Sequence, residues 1–166
     1  MYKINKYARK DAVEYALEYA LQKNPTYFDY TNQGGNCTNY ISQCLYAGTK
    51  TMQISPNGWY YFSPSNTSIS WANVEPFYNF LISNNGEGPY ASKSPLEMAQ
   101  IGDIIQLRFL GKTAFSHALI ISKISSLNPS GIYVCANTRD VKDVPLSFYR
   151  FDEFRLLHIL GYRTIL

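Results

Sequence analysis

Histidine and cysteine are scarce in this 166-residue chain: two of the first, three of the second, and no Cys-x-x-Cys pair. A structural zinc site needs about four such ligands at short spacings, and His117 and His158 lie far apart in sequence, so no metal is expected. An odd number of thiols excludes a complete disulfide framework. Cys37 and Cys44, seven residues apart on one expected helix, would stand about 10 Å from each other along its axis, too far to bridge. Charge is sparse as well. Fifteen Lys and Arg against twelve Asp and Glu leave a net +3, and the basic residues are scattered, which argues against a nucleic acid partner. No apolar run approaches the roughly 18 residues that cross a bilayer, so no membrane partner is expected either. The opening Met1 to Lys10 lacks the apolar core of a secretory signal. Residence in the cytoplasm, export by another route, or numbering without a leader all fit that absence.

Apolar residues make up 46% of the chain and charged residues 16%, a composition that folds, and the length suits a single domain over residues 1–166. Alanines and tyrosines at three-and-four spacing from Lys6 to Lys23 predict a helix ended by Asn24-Pro25. A second is expected from Asn36, with Asn36 as N-cap and Gly48 at the C-terminal stop. Residues 49–70 read as a long loop holding a short strand at 59–62, and a third helix is expected over 73–84. Ser94-Pro95-Leu96-Glu97 has the form of a capping box. Thereafter β-branched runs at 103–109, 117–124, 132–136 and 156–165 predict strands with short links, hence an antiparallel sheet. Helices first and strands second give an α+β fold with the helical layer on one side of the sheet.

Chemistry concentrates at residues 34–48, where Gly34 and Gly35 lead into a helix that begins at Cys37. A helix N-terminus stabilises a thiolate and can draw its pKa from about 8.5 to about 3.5–7.5, so Cys37 is a candidate nucleophile. Its partner must be a base. His158 lies inside a strand-like run, where a satisfied core histidine is the ordinary role. His117 instead opens a strand directly after the turn 111–116, at the rim of the sheet. Pairing Ile124 with Ile132 would bring His117 near residue 139, leaving Asn137, Thr138, Arg139 and Asp140 as neighbours. Asn137 could hold the imidazole ring through one N–H, and Asp140 could do so with a charge.

The run Gly34-Gly35-Asn36-Cys37-Thr38-Asn39-Tyr40-Ile41-Ser42-Gln43-Cys44-Leu45 resembles the signature of a bacterial amidase domain family. That family is placed in the papain-like superfamily, which includes cell-wall cysteine amidohydrolase and peptidase domains. Tyr7-Ala8-Arg9, Gly58-Trp59-Tyr60, Ser70-Trp71, Gly102-Asp103-Ile104 and Ser116-His117-Ala118-Leu119 follow in the family's order, so the likeness covers about residues 3 to 162. The resemblance implies a papain-like fold with Cys37 as nucleophile, His117 as base and Asn137 as third member. It implies hydrolysis of an amide or peptide bond in cell-wall peptide material through a thioester, with peptidoglycan as the partner and no cofactor. Gln33, four residues before the nucleophile, is a candidate oxyanion donor beside the Cys37 backbone N–H. Asn36 stands where the family has Asp, and Asn137-Thr138 where it often has His-Thr. Two other readings compete: a noncatalytic module that binds wall or peptide through its aromatics, and a deamidase or acyltransferase with the same Cys-His chemistry.

Overall fold

The computed structural model describes residues 1–166, in which a small hairpin of β2, Tyr61–Ser63, and β3, Asn66–Thr67, and a short helix α3, Ile69–Ala72, stand apart from the main sheet. Its centre is β9, Phe151–Ile165, a fifteen-residue strand. Along one edge β9 pairs with β5, Ile104–Phe109, and at its end with β1, Tyr2–Asn5. Along the other it pairs with β4, Gly88–Ser94. From β5 the sheet continues through β6, His117–Ile124, and β7, Ile132–Ala136, to β8, Val141–Pro145. Every pairing is antiparallel, so the fold is α+β with an antiparallel sheet, as the strand spacing predicted.

Strands β1, β4 and β8 fall where no strand was expected. Each pairs with a single neighbour, and sequences such as Gly-Pro-Tyr-Ala-Ser-Lys-Ser and Val-Lys-Asp-Val-Pro carry no alternation of buried apolar residues. Edge strands owe their form to a neighbour's hydrogen bonds more than to their own pattern.

Successive strand residues face opposite sides of a sheet, and two cores result. One holds Ile104, Ala118, Ile120, Cys135, Leu157 and Ile159 against helices α1, Arg9–Tyr19, α2, Cys37–Thr49, and α4, Val74–Ser83. The other holds Ile105, Leu107, Leu119, Ile121, Val134 and Leu156, covered by Leu96, Ala99 and Leu146 from short 3-10 turns. The Ser94 to Glu97 motif makes one such turn and no side-chain cap.

Helix α2 is buried on every side, with only Tyr46 less enclosed. Ile41, Cys44, Leu45 and Gly48, which recur at three-and-four spacing, are therefore only part of its buried surface. Polar residues inside are matched: Trp59 Nε1 donates to Ser42 Oγ at 2.9 Å, Trp71 Nε1 to Asn39 Oδ1 at 2.9 Å, and Tyr15 OH to Gln43 Oε1 at 2.6 Å. Gly48 does not end the helix. The helix runs on to Thr49 and Lys50 takes the left-handed turn at φ 51°. Gly48 is needed for packing instead, because a Cβ there would stand 2.4 Å from the Tyr7 ring.

Candidate active site

Helix α2 places Cys37 at its first residue and β6 places His117 at its first residue, so both lie where an element begins. The Ala118 backbone N–H, one residue beyond His117, is among the groups that favour the Cys37 thiolate. The sulfur also contacts Thr38 Oγ1 at 3.8 Å. Cys37 is 8% exposed and belongs to the core beneath the helices. Burial pushes the thiol up, and the N–H groups of Ala118, Thr38 and Cys37 itself pull it back only in part. The expected lowering of the thiol pKa is thus reversed. A helix start favours the anion, but removal of water from the sulfur outweighs it here.

Leu107 pairs with His117 and Ile105 with Leu119, so the imidazole leaves the sheet on the face turned away from α2. Its ring lies 5.6 Å from Phe109 at 28° and 5.6 Å from Tyr149 at 48°. Stacking between these rings sets its orientation, since neither ring nitrogen makes a hydrogen bond. Burial, and then the positive charge of exposed Arg139, lower the His117 pKa to about 4. Thiol and imidazole reach the same strand end from opposite faces, and both are neutral near pH 7.

Ile124 pairs with Ile132 as the sequence suggested. An irregularity at Ser122 then shifts the register, so that Ile121 meets Val134 and Ile120 meets Cys135. Carried to the rim, that register sets His117 level with Thr138 and Asn137 level with Ala118, which turns Asn137 to the helix side. Its carboxamide is fully engaged there. Oδ1 accepts from Asn36 Nδ2 at 3.0 Å and from Lys23 Nζ at 2.5 Å, and Nδ2 donates to the carbonyls of Tyr19 at 3.3 Å and Ala20 at 3.1 Å. The structure therefore joins Asn137 to the approach to α2, not to the imidazole. Asp140 is exposed and pairs with Lys23 at 3.1 Å.

Asn36 does not cap α2 either. Its Oδ1 accepts from the Tyr30 N–H at 3.0 Å and Asn39 Nδ2 at 2.8 Å, and its own N–H donates to Thr138 Oγ1 at 2.6 Å. Gly34 and Gly35, at φ of 95° and 108°, carry the chain through the left-handed bends that bring it there. Gln33 sits exposed in the same turn, its N–H bonded to the Tyr30 carbonyl at 2.8 Å.

Over residues 6–160 the sequence matches the family described as "Putative amidase domain". The chain belongs to that family. It is 36% identical over 119 residues to Uncharacterized protein YhbB of Bacillus subtilis, an alignment that takes in 69% of this chain and 37% of that protein. The chain thus spans little more than a third of that relative's length. No solved structure matches it.

In this amidase-family chain the second histidine stands apart from the rim. His158 Nδ1 lies 2.7 Å from Asp103 Oδ2, and Arg9 Nη1 donates to Asp103 Oδ1 at 2.7 Å. Asp103 is wholly enclosed, and this cluster ties α1 to β9 as a structural core contact. A cavity of about 410 Å³ beside α4, lined by Gln53, Asn57, Asn79, Phe80 and Ser83, includes neither Cys37 nor His117. No helix is long and apolar enough to cross a membrane. Arg139 was among the residues expected near His117, whereas Tyr149 and Phe109 were not identified beforehand. A lone tyrosine among fifteen carries no signal until the fold sets it against the histidine.

Proposed function

We propose that this domain is a papain-like cysteine amidohydrolase that cleaves an amide or peptide bond of bacterial cell-wall peptide material through a thioester. The supporting observation is that Cys37 opens α2 and His117 opens β6 at one rim, with the Ala118 N–H, next in the chain to His117, favouring the thiolate. Burial penalises a lone thiolate and a lone imidazolium alike. A proton passed from sulfur to imidazole creates no net charge, so His117 acts as base while Cys37 attacks. The sulfur electron pair forms the C–S bond and the carbonyl pair moves to oxygen. On collapse the C–N bond breaks and the amine leaves with the His117 proton. Water then gives a proton to His117 and adds to the thioester, and loss of the thiol frees a carboxylic acid. Asn137 and Thr138 serve as positioning residues that hold Asn36, and with it the start of α2.

The test is amine release from purified cell-wall sacculi and wall peptides, with mass spectrometry for an acyl adduct on Cys37. C37A and H117A should each abolish release while keeping the fold. Equal release by C37A and the unaltered protein refutes the reading. A second reading, a noncatalytic wall-binding module, is favoured by the neutral resting state of both groups and by the absence of a hydrogen bond between them. Retention on sacculi with no amine released would select it.

A further inference from the structure

The cavity of about 410 Å³ beside α4 falls within the roughly 300–1,000 Å³ of small-molecule sites, and the chemistry proposed for Cys37 makes no use of it. No lysine, arginine, histidine, aspartate or glutamate lines it. A charged ligand would leave water there without meeting an opposite charge, so anions and cations are disfavoured alike. What lines it is carboxamide. Asn57, Asn79 and Asn85 reach it from the turn before Trp59, from α4 and from the bend after α4. All three residues are exposed, and none of these side chains is hydrogen-bonded within the protein.

Two further carboxamides are spent on holding the wall. Buried Asn84 accepts through Oδ1 from Gln53 Nε2 at 2.8 Å and from the Gly86 N–H at 2.9 Å. Its Nδ2 donates to the carbonyls of Glu87 at 2.9 Å and Pro89 at 2.8 Å, and Gln53 Nε2 donates to Glu87 as well, at 3.0 Å. The wall is therefore set before any ligand arrives. A free carboxamide offers an acceptor and two donors in one plane, which matches adjacent hydroxyls on a sugar ring. The carbon-bound hydrogens on the flat of such a ring need an apolar support, and Pro76 and Ile69, the latter 67% exposed, provide it. An extended peptide fits less well, because it is held by unpaired backbone at a strand edge. Gln53 and Trp59 instead exchange both of their backbone hydrogen bonds with each other, at 2.9 Å.

We infer that this cavity binds a neutral saccharide: Asn57, Asn79 and Asn85 pair with its hydroxyls while a ring face rests on Ile69 and Pro76. The site is separate from the rim of Cys37 and His117, and the inference does not depend on the reaction proposed there.

The test uses the whole chain and two neutral trisaccharides, chitotriose with acetamido groups and cellotriose without them, followed by amide NMR. At least one should give saturable shifts at the backbone amides around Asn57, Asn79 and Asn85, with a Kd of about 1 mM or tighter. Acetyl-trialanine amide, a neutral peptide, should give none. N79A combined with N85A removes two exposed carboxamides, so it should weaken binding about 10-fold at an unchanged thermal midpoint. No saturable shift from either trisaccharide up to about 10 mM overturns the inference. So do shifts confined to another surface, binding undiminished in the double variant, or binding of the peptide in preference to both sugars. A protein that releases amine from wall peptides yet binds neither sugar refutes this inference alone. Sugar binding at the cavity with no amine released sustains it and refutes only the cleavage reading.

Discussion

Replacing His117 with asparagine tests the placement of the imidazole through the pH dependence of stability. In the folded protein this ring titrates at about 4 against an ordinary 6.5. Between those values the unfolded chain carries one more proton than the folded one, so stability rises with pH. The contribution is fully present above pH 6.5 and drains away as pH falls toward 4. At about 1.4 kcal/mol per pH unit the whole window amounts to about 3 kcal/mol, and the descent from pH 7.5 to pH 5 to about 2 kcal/mol. Asparagine does not titrate, so H117N lacks that slope whatever its packing costs. Urea denaturation of both proteins at pH 7.5, 6 and 5 isolates the effect, because all other groups cancel in the difference. The unaltered protein should lose about 2 kcal/mol more than H117N across that range. A difference that stays constant within about 0.5 kcal/mol would mean that the ring is solvated in the fold, and the rim geometry would be wrong. Under the proposed mechanism, in which His117 acts as base, the same depressed value would set the acid limb of kcat/KM near pH 4 instead of 6.5.

Three further outcomes follow from neighbouring residues. R139Q removes the positive charge that helps lower His117, so the imidazole pKa, read by NMR of the ring protons, should rise; an unchanged or lower value would place Arg139 elsewhere. N137A strands the Asn36 amide and two carbonyls of the first helix and leaves Lys23 with Asp140 alone, and should cost about 2–3 kcal/mol by urea titration with turnover reduced but not lost. Full stability together with zero turnover would instead make Asn137 part of the chemistry. G48A would improve helix propensity yet drive a methyl group into the Tyr7 ring, so the thermal midpoint should fall, in keeping with about 1–3 kcal/mol for overpacking; a gain in stability would show that Tyr7 can move aside.

Periodicity along the chain was enough to locate the strands 104–109, 117–124 and 132–136, the helix of Cys37 and the α+β class, because each of these buries a patterned face of its own. It also singled out Cys37 and His117, since a thiol at a helix start and a histidine at a strand start are readable from neighbours a few residues away. The partners of those two groups were beyond its reach. One irregularity at Ser122 turned Asn137 to the helix side, and a pleat reverses every side chain with a shift of one residue. The sequence by itself determined which residues could do chemistry and on which elements they ride. Only the tertiary structure decided that the sulfur would be buried and that the imidazole would pack against Phe109 and Tyr149. Burial and stacking are set by segments far apart in the chain, and no local pattern carries them.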